Sequence, residues 1–140
     1  MTTFYVSPSS MSYPNYLNIC NACAGFGWHS PWVWSRESFR PDYLACPKTL
    51  TQSIKALARV DIFIACLPGT GSTLVEIGLA YKTCEELFLC AKDPVYFQQA
   101  IGLGDAHLAV LPGIRRAVCP PEEVPMVLRS EYCHLVKNAL

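Results

Sequence analysis

Apolar positions along this chain fall into two patterns, short continuous runs and stripes at helical spacing. Asp61 to Leu67 (DIFIACL) is an almost unbroken apolar run closed by Pro68 and Gly69, as expected of a strand buried on both faces of a sheet. Thr3 to Ser7 (TFYVS), Leu87 to Ala91 and the residues near His107 to Leu111 read as further strands. Leu50, Ile54, Leu57 and Ala58 recur at helical spacing, which predicts an amphipathic helix over Lys48 to Arg59. Helices are also predicted over Tyr13 to Ala24, with Pro14 in the first turn, over about Thr73 to Lys82, near Val95 to Ile101, and from Glu122 onwards. Gly25 to Trp34 reads as a strand with Trp32 and Trp34 on one face. Ser35 to Pro47 is polar and reads as a surface loop. Strands alternating with helices imply right-handed crossovers and a mostly parallel sheet. The expectation is one α/β domain over residues 1–140, a three-layer sandwich with a five-stranded, Rossmann/flavodoxin-like sheet.

Composition narrows this picture. The 140 residues carry 11 basic and 11 acidic side chains, and 51% of positions are hydrophobic against 16% charged. A disordered chain has the opposite balance, and a nucleic-acid polymer calls for clustered Lys and Arg. The apolar surplus exceeds what a small charged monomer needs, so a homodimer or higher homo-oligomer is expected. The eight cysteines lie largely within apolar runs, as Cys66 does in IFIACL and Cys90 in ELFLCA. Such thiols act as small buried hydrophobes. The first residues have neither a basic nor an apolar signal region, and no apolar run reaches the roughly 20 residues of a membrane span. These features together suggest a cytoplasmic protein with reduced thiols and no membrane partner.

Ligands of open α/β sheets bind beyond the carboxyl ends of strands. Two loops there have suitable composition, Ser7 to Ser10 and PGTGST from Pro68 to Thr73. The second runs into a helix, whose free N–H groups and dipole favour an anion. With no Lys after the glycines and no G-x-G-x-x-G spacing, a triphosphate or dinucleotide is disfavoured, and a monophosphate or sugar is favoured. Glu76 lies one turn into that helix and points back to the loop. On spacing alone, Thr73 to Glu76 fits a capping box. The alternative is a carboxylate that acts as nucleophile at a sugar C1.

The stretch DIFIACLPGTGSTLVEIGLA resembles the signature of the nucleoside 2-deoxyribosyltransferase superfamily, which includes the nucleoside 5'-monophosphate N-glycosidases. The resemblance implies that Glu76 is the catalytic nucleophile and that Tyr5, in FYVSPSS, stands near it. It further implies that Ser7, Ser9, Thr70, Gly71 and Ser72 hold the sugar and any 5'-phosphate, in a pocket shared between subunits and without a cofactor. PGTGSTLVE also resembles the PGGxGTxxE motif of cytokinin riboside monophosphate phosphoribohydrolases, at Pro68, Gly69, Thr73 and Glu76. Both likenesses imply cleavage or transfer of a nucleoside N-glycosidic bond. Ser53 stands where the superfamily usually carries an Asp near the base. Protonation of the leaving base then falls to Asp42, His29 or a substrate-held water, or the domain binds a nucleotide without cleaving it.

Other groups carry less. Cys20 and Cys23 form C-x-x-C, with His29 and Cys46 further on, but the pair falls in a predicted helix and reads as core thiols rather than a metal site. Phe26, Trp28, Trp32 and Trp34 read as core or interface aromatics, with a stacking wall for a nucleobase as the alternative. Asp61 is expected to orient the start of its strand, and Arg115 and Arg116 to be solvated.

Overall fold

A computed structural model describes residues 1–9, 11–97 and 111–139, with side chains described as far as residue 132. Four parallel strands form one sheet in the order β1 (Phe4–Val6), β2 (Ile62–Leu67), β3 (Glu86–Ala91) and β4 (Arg115–Val118). Four helices cover it: α1 (Tyr13–Gly25), α2 (Pro47–Leu57), α3 (Gly71–Thr83) and α4 (Val124–Ala139). The α/β class and the parallel sheet therefore agree with expectation, but the described sheet has four strands, not five. The strand expected near His107 to Leu111 lies almost wholly outside the described residues, as does the end of the helix expected near Val95 to Ile101. Pro94–Phe97 forms a 3-10 turn at its start.

The strand that the hydrophobic pattern missed is β4. Its residues, RRAV, are largely exposed at the sheet edge, where charged side chains discourage pairing with another chain. Arg115 pairs with Glu86 at 2.9 Å and Glu131 at 3.2 Å, and the Arg116 guanidinium donates to the Ile114 and Leu111 carbonyls. No strand forms around Trp32 and Trp34, which lie in irregular chain. The extended contact in this region is one parallel bridge between Thr3 and His29.

The two faces of the sheet hold separate cores. On one, α1 and α4 pack Tyr16, Ile19, Leu128 and Tyr132 against Phe4, Ile64 and Phe88. On the other, α2 and α3 pack Leu57, Ile77 and Ala80 against Phe63, Ala65 and Leu89. Alternate residues of β2 serve opposite cores, and all six are buried, which explains its unbroken apolar run. Cys66 and Cys90 are register partners on β2 and β3, with sulfurs 3.0 Å apart inside the first core. Burial also pushes the Cys20 thiol up to about 11. Among the described residues no three metal-ligating side chains gather, and no helix is long and apolar enough to cross a membrane.

Asp61 orients the start of β2, as expected: its Oδ2 accepts from the Thr3 N–H at 2.9 Å and the Thr3 hydroxyl at 3.1 Å. This clamp fixes β1 beside β2 in parallel register, with Tyr5 opposite Phe63 and Val6 opposite Ile64. Strand order does not reverse among the described strands. The carboxyl ends of β1 and β2 nevertheless open on the same side, toward the start of α3.

Candidate active site

The loop after β2 is built to start a helix abruptly. Leu67–Pro68 is a cis peptide, and Gly69 follows at a point where no side chain fits. A Cβ on Gly69 would stand 2.5 Å from the Thr73 Cβ. Thr70 is the N-cap of α3, and its N–H donates to the Thr73 hydroxyl at 3.1 Å. The cap therefore belongs to Thr70 and Thr73, not to Thr73 and Glu76 as spacing alone suggested. Released from that role, Glu76 sits one turn further on and faces β1.

Glu76 is half-buried, approached by Tyr5 on β1 and by Ser7 just past its end. The Ser7 hydroxyl donates to its Oε1 at 3.0 Å, and the Tyr5 hydroxyl lies near enough to stabilise the charged carboxylate. Tyr5 in turn accepts the Trp34 indole N–H at 3.0 Å. Trp34 is anchored from behind, since its backbone N–H donates to the Tyr16 hydroxyl at 2.8 Å. The result is a line of polar groups that runs from Trp34 through Tyr5 toward Glu76. Burial raises the Glu76 carboxyl above its ordinary range, and the two hydroxyl donors oppose that rise by stabilising the charged form. Burial, followed by the neighbouring Glu76 charge, pushes the Tyr5 hydroxyl well above its ordinary value. Tyr5 thus stays a donor.

Tyr5, Trp34 and Glu76 line a cavity of about 590 Å³. Gly71 and Ser72 of the α3 N-terminus line it with Glu76, and Pro8 and Ser9 come from the loop after β1. The amide N–H groups of a helix's first turn have no partners within the helix and can serve an anionic or hydroxyl-bearing ligand. The lining is completed chiefly by Trp34, Tyr43 and the α2 side chains Leu50, Ser53, Ile54 and Leu57. The α2 stripe is rotated from its expected facing: Ser53, Ala56 and Leu57 are buried, while Leu50 and Ile54 are about half exposed at the cavity wall.

Tyr5, Ser9, Gly71, Ser72 and Glu76 of the expected site thus meet at one cavity. Ser7 is fully buried, holds the carboxylate and is absent from the lining. Thr70 caps the helix and is absent from the lining. Asp42 is exposed and also absent from the lining, although its neighbour Tyr43 is part of it. His29 lies beside Thr3 at the opposite, amino end of β1, away from any role at Glu76. Ser10 lies outside the described residues. The pattern left Trp34 and Tyr43 unassigned to the site. The sole sequence signal for Trp34 was the aromatic cluster, read mainly as packing.

Compared with family models, curated proteins and solved structures, the chain matches none of them.

Proposed function

We propose that this protein cleaves or transfers the N-glycosidic bond of a nucleoside or nucleoside 5'-monophosphate, with Glu76 as the nucleophile. The observation that carries this reading is the Glu76 carboxylate at the cavity wall, held from behind by Ser7 and flanked by Tyr5. A helix residue eligible for a local cap is instead stabilised by two hydroxyls from a segment distant in sequence. A carboxylate so held attacks the anomeric carbon and departs again when water or a second base resolves the glycosyl-enzyme. Tyr5 and Ser7 fix its rotamer and keep it charged. Gly71 and Ser72 offer N–H groups to the sugar or a 5'-phosphate, with Ser9 nearby, and Trp34 and Tyr43 offer aromatic faces to the base. Neither a cofactor nor a metal takes part in this scheme.

The likeness of the Asp61 to Ala80 segment to the nucleoside 2-deoxyribosyltransferase superfamily supports the same chemistry. It also favours a Rossmann/flavodoxin-like sheet completed by a fifth strand. Leu50, Ile54 and Val75 leave apolar surface at the cavity, which favours a homo-oligomer whose subunits cover one another's pockets, working in the cytoplasm on small molecules rather than nucleic-acid polymers.

The test is incubation of the protein with nucleosides, deoxynucleosides and their monophosphates, with free base followed by chromatography. Wild type releases base, and folded Glu76→Gln does not, although an amide oxygen still accepts from Ser7. Equal activity of the two proteins sinks the nucleophile assignment. A second reading, nucleotide binding without cleavage, is favoured by Ser53, whose hydroxyl stands where a carboxyl is usual. Saturable nucleotide binding with no base released would select it.

A further inference from the structure

The cavity has an unusual charge pattern for a site that must expel a nucleobase. Among the described residues that line it, Glu76 is the sole carboxyl group and none is Lys, Arg or His; the other side-chain donors, Tyr43, Ser9, Ser38 and Ser72, carry only weakly acidic hydroxyls. The hydroxyl at the expected acid position is committed elsewhere: Ser53 is buried and donates its proton to the Leu50 carbonyl at 2.8 Å. It is left able to accept a hydrogen bond but not to give one. The Tyr5 hydroxyl serves to stabilise the charged Glu76. Much of the remaining lining is aromatic and aliphatic, with Trp34 and Tyr43 joined by Leu50, Ile54 and Leu57.

A neutral purine or pyrimidine leaves as an anion unless it is protonated, so its departure needs a donor. A base that is already cationic needs none. Resting on the glycosidase reading above, we infer that the preferred substrates are N-glycosides of cationic heteroaromatic bases, pyridinium or N-alkylated purinium ribosides and their monophosphates. A positive ring is attracted both to aromatic faces and to the lone carboxylate, and its charge offsets the cost of burying that carboxylate. Ser53 accepts from an N–H donor on the base, such as a carboxamide or exocyclic amine.

The step balances without an acid. A Glu76 oxygen forms a bond to C1′ while the C1′–N bond breaks, and the released electron pair neutralises the ring nitrogen. The base departs neutral. Water then bonds to C1′, the ester bond to Glu76 breaks, the carboxylate is restored, and one proton passes to solvent. Each turnover consumes one cationic glycoside and one water and yields sugar, neutral base and one proton.

Matched pairs test this: 7-methylguanosine against guanosine, and nicotinamide riboside against cytidine, each also as the 5'-monophosphate. Every kcat/KM is divided by the uncatalysed rate, so that the greater intrinsic lability of the cations cancels. The expected result is an enhancement about 100-fold larger for the cationic members, the scale of a missing general acid. With nicotinamide riboside, whose ring cation has no proton to lose, one proton should be released per turnover and the pH profile should have an ascending limb only. Tryptophan fluorescence titration should show Glu76→Gln losing affinity for the cationic ribosides and not for the neutral ones. Equal or greater enhancement for the neutral members, or a descending alkaline limb with nicotinamide riboside, overturns this inference and leaves the glycosidase reading standing. Absence of turnover throughout overturns both. Turnover that favours the cations but survives in Glu76→Gln removes the nucleophile and with it the step described here.

Discussion

Ser7 and Glu76, 69 residues apart in the chain, meet in a 3.0 Å hydrogen bond that joins the end of β1 to the second turn of α3. The bond gives a strand serine and a helix glutamate one task, the control of a partly desolvated carboxylate. The Tyr5 hydroxyl completes that control from the same strand, because residues two apart on β1 point to the same side.

Removing either donor should make the carboxylate harder to ionise. Both hydroxyls stabilise the charged form, so Ser7→Ala and Tyr5→Phe each raise the Glu76 carboxyl further above its ordinary range. The ascending limb of kcat/KM against pH should move to higher pH in both variants. Plateau activity should fall on the order of tenfold to a hundredfold as the carboxylate loses its fixed position. A limb that stays in place while activity falls would mean that these hydroxyls act on the substrate instead.

The same carboxyl sets a stability signature opposite in sign to that of a salt-bridged acid. Its folded value is raised, so between the ordinary carboxylate range and that raised value the native state binds more protons than the unfolded chain. The contribution of Glu76 to stability is therefore largest at low pH and declines as pH rises through that window. Glu76→Gln removes the titration. Its Tm should exceed that of wild type at neutral pH, by about 2–4 °C for each kcal/mol relieved in a chain of this size, and the gap should close on acidification. Thermal melts across pH check this, and a gap that widens toward acid would refute it.

Gly69 is required for space rather than for backbone freedom. A methyl group there meets the Thr73 Cβ at 2.5 Å, and Thr73 is fully buried and bonded to the Thr70 N–H, so it cannot swing aside. Gly69→Ala should cost about 1–3 kcal/mol, the usual range for forcing extra carbon into a packed site. Urea denaturation reads it directly. A loss within about 0.5 kcal/mol, the range of neutral surface changes, would show that the loop relaxes freely.

Two buried tyrosines should respond oppositely to loss of the hydroxyl. Tyr16 accepts the backbone N–H of Trp34 at 2.8 Å, so Tyr16→Phe strands a buried donor and should cost about 1–3 kcal/mol. The Tyr132 hydroxyl is buried with no hydrogen-bond partner among the described residues, so Tyr132→Phe should leave stability unchanged or raise it. Tyr16→Phe should also weaken activity through Trp34, whereas Tyr132→Phe should not. Paired denaturation and rate measurements on the two variants decide the matter.

Much of this molecule was legible in its residue pattern, and the failures have identifiable causes. The β2 run, the PGTGST turn and α3 follow from local chemistry alone, since apolar continuity, Pro and Gly, and helical spacing all act over a few residues. Strand β4 was hidden because an edge strand needs no apolar alternation: Arg115 pairs with Glu86 and Glu131, and Arg116 donates to backbone carbonyls. The stretch around Trp32 and Trp34 looked like a strand because aromatic residues suit strands and cores alike. The site was legible at Tyr5 and Glu76, which sit in recognisable segments. It was less legible at Thr70, Asp42 and Ser7, where the expectation was ligand contacts and packing makes a cap, an exposed turn and a clamp on the Glu76 carboxylate.

The sequence by itself determined the α/β class, the buried central strand, the helix that begins at a glycine-rich turn, and a carboxylate one turn into that helix. It could not decide what that carboxylate does. A capping bond and a nucleophile share the same spacing, because spacing describes neighbours along one helix. Only the tertiary structure brings β1 against α3, hands the cap to Thr70 and Thr73, and turns Glu76 toward Tyr5 and Ser7. The physical reason is parallel pairing: the register of β1 and β2, pinned by Asp61 on Thr3, sets which side chains from distant segments share one cavity.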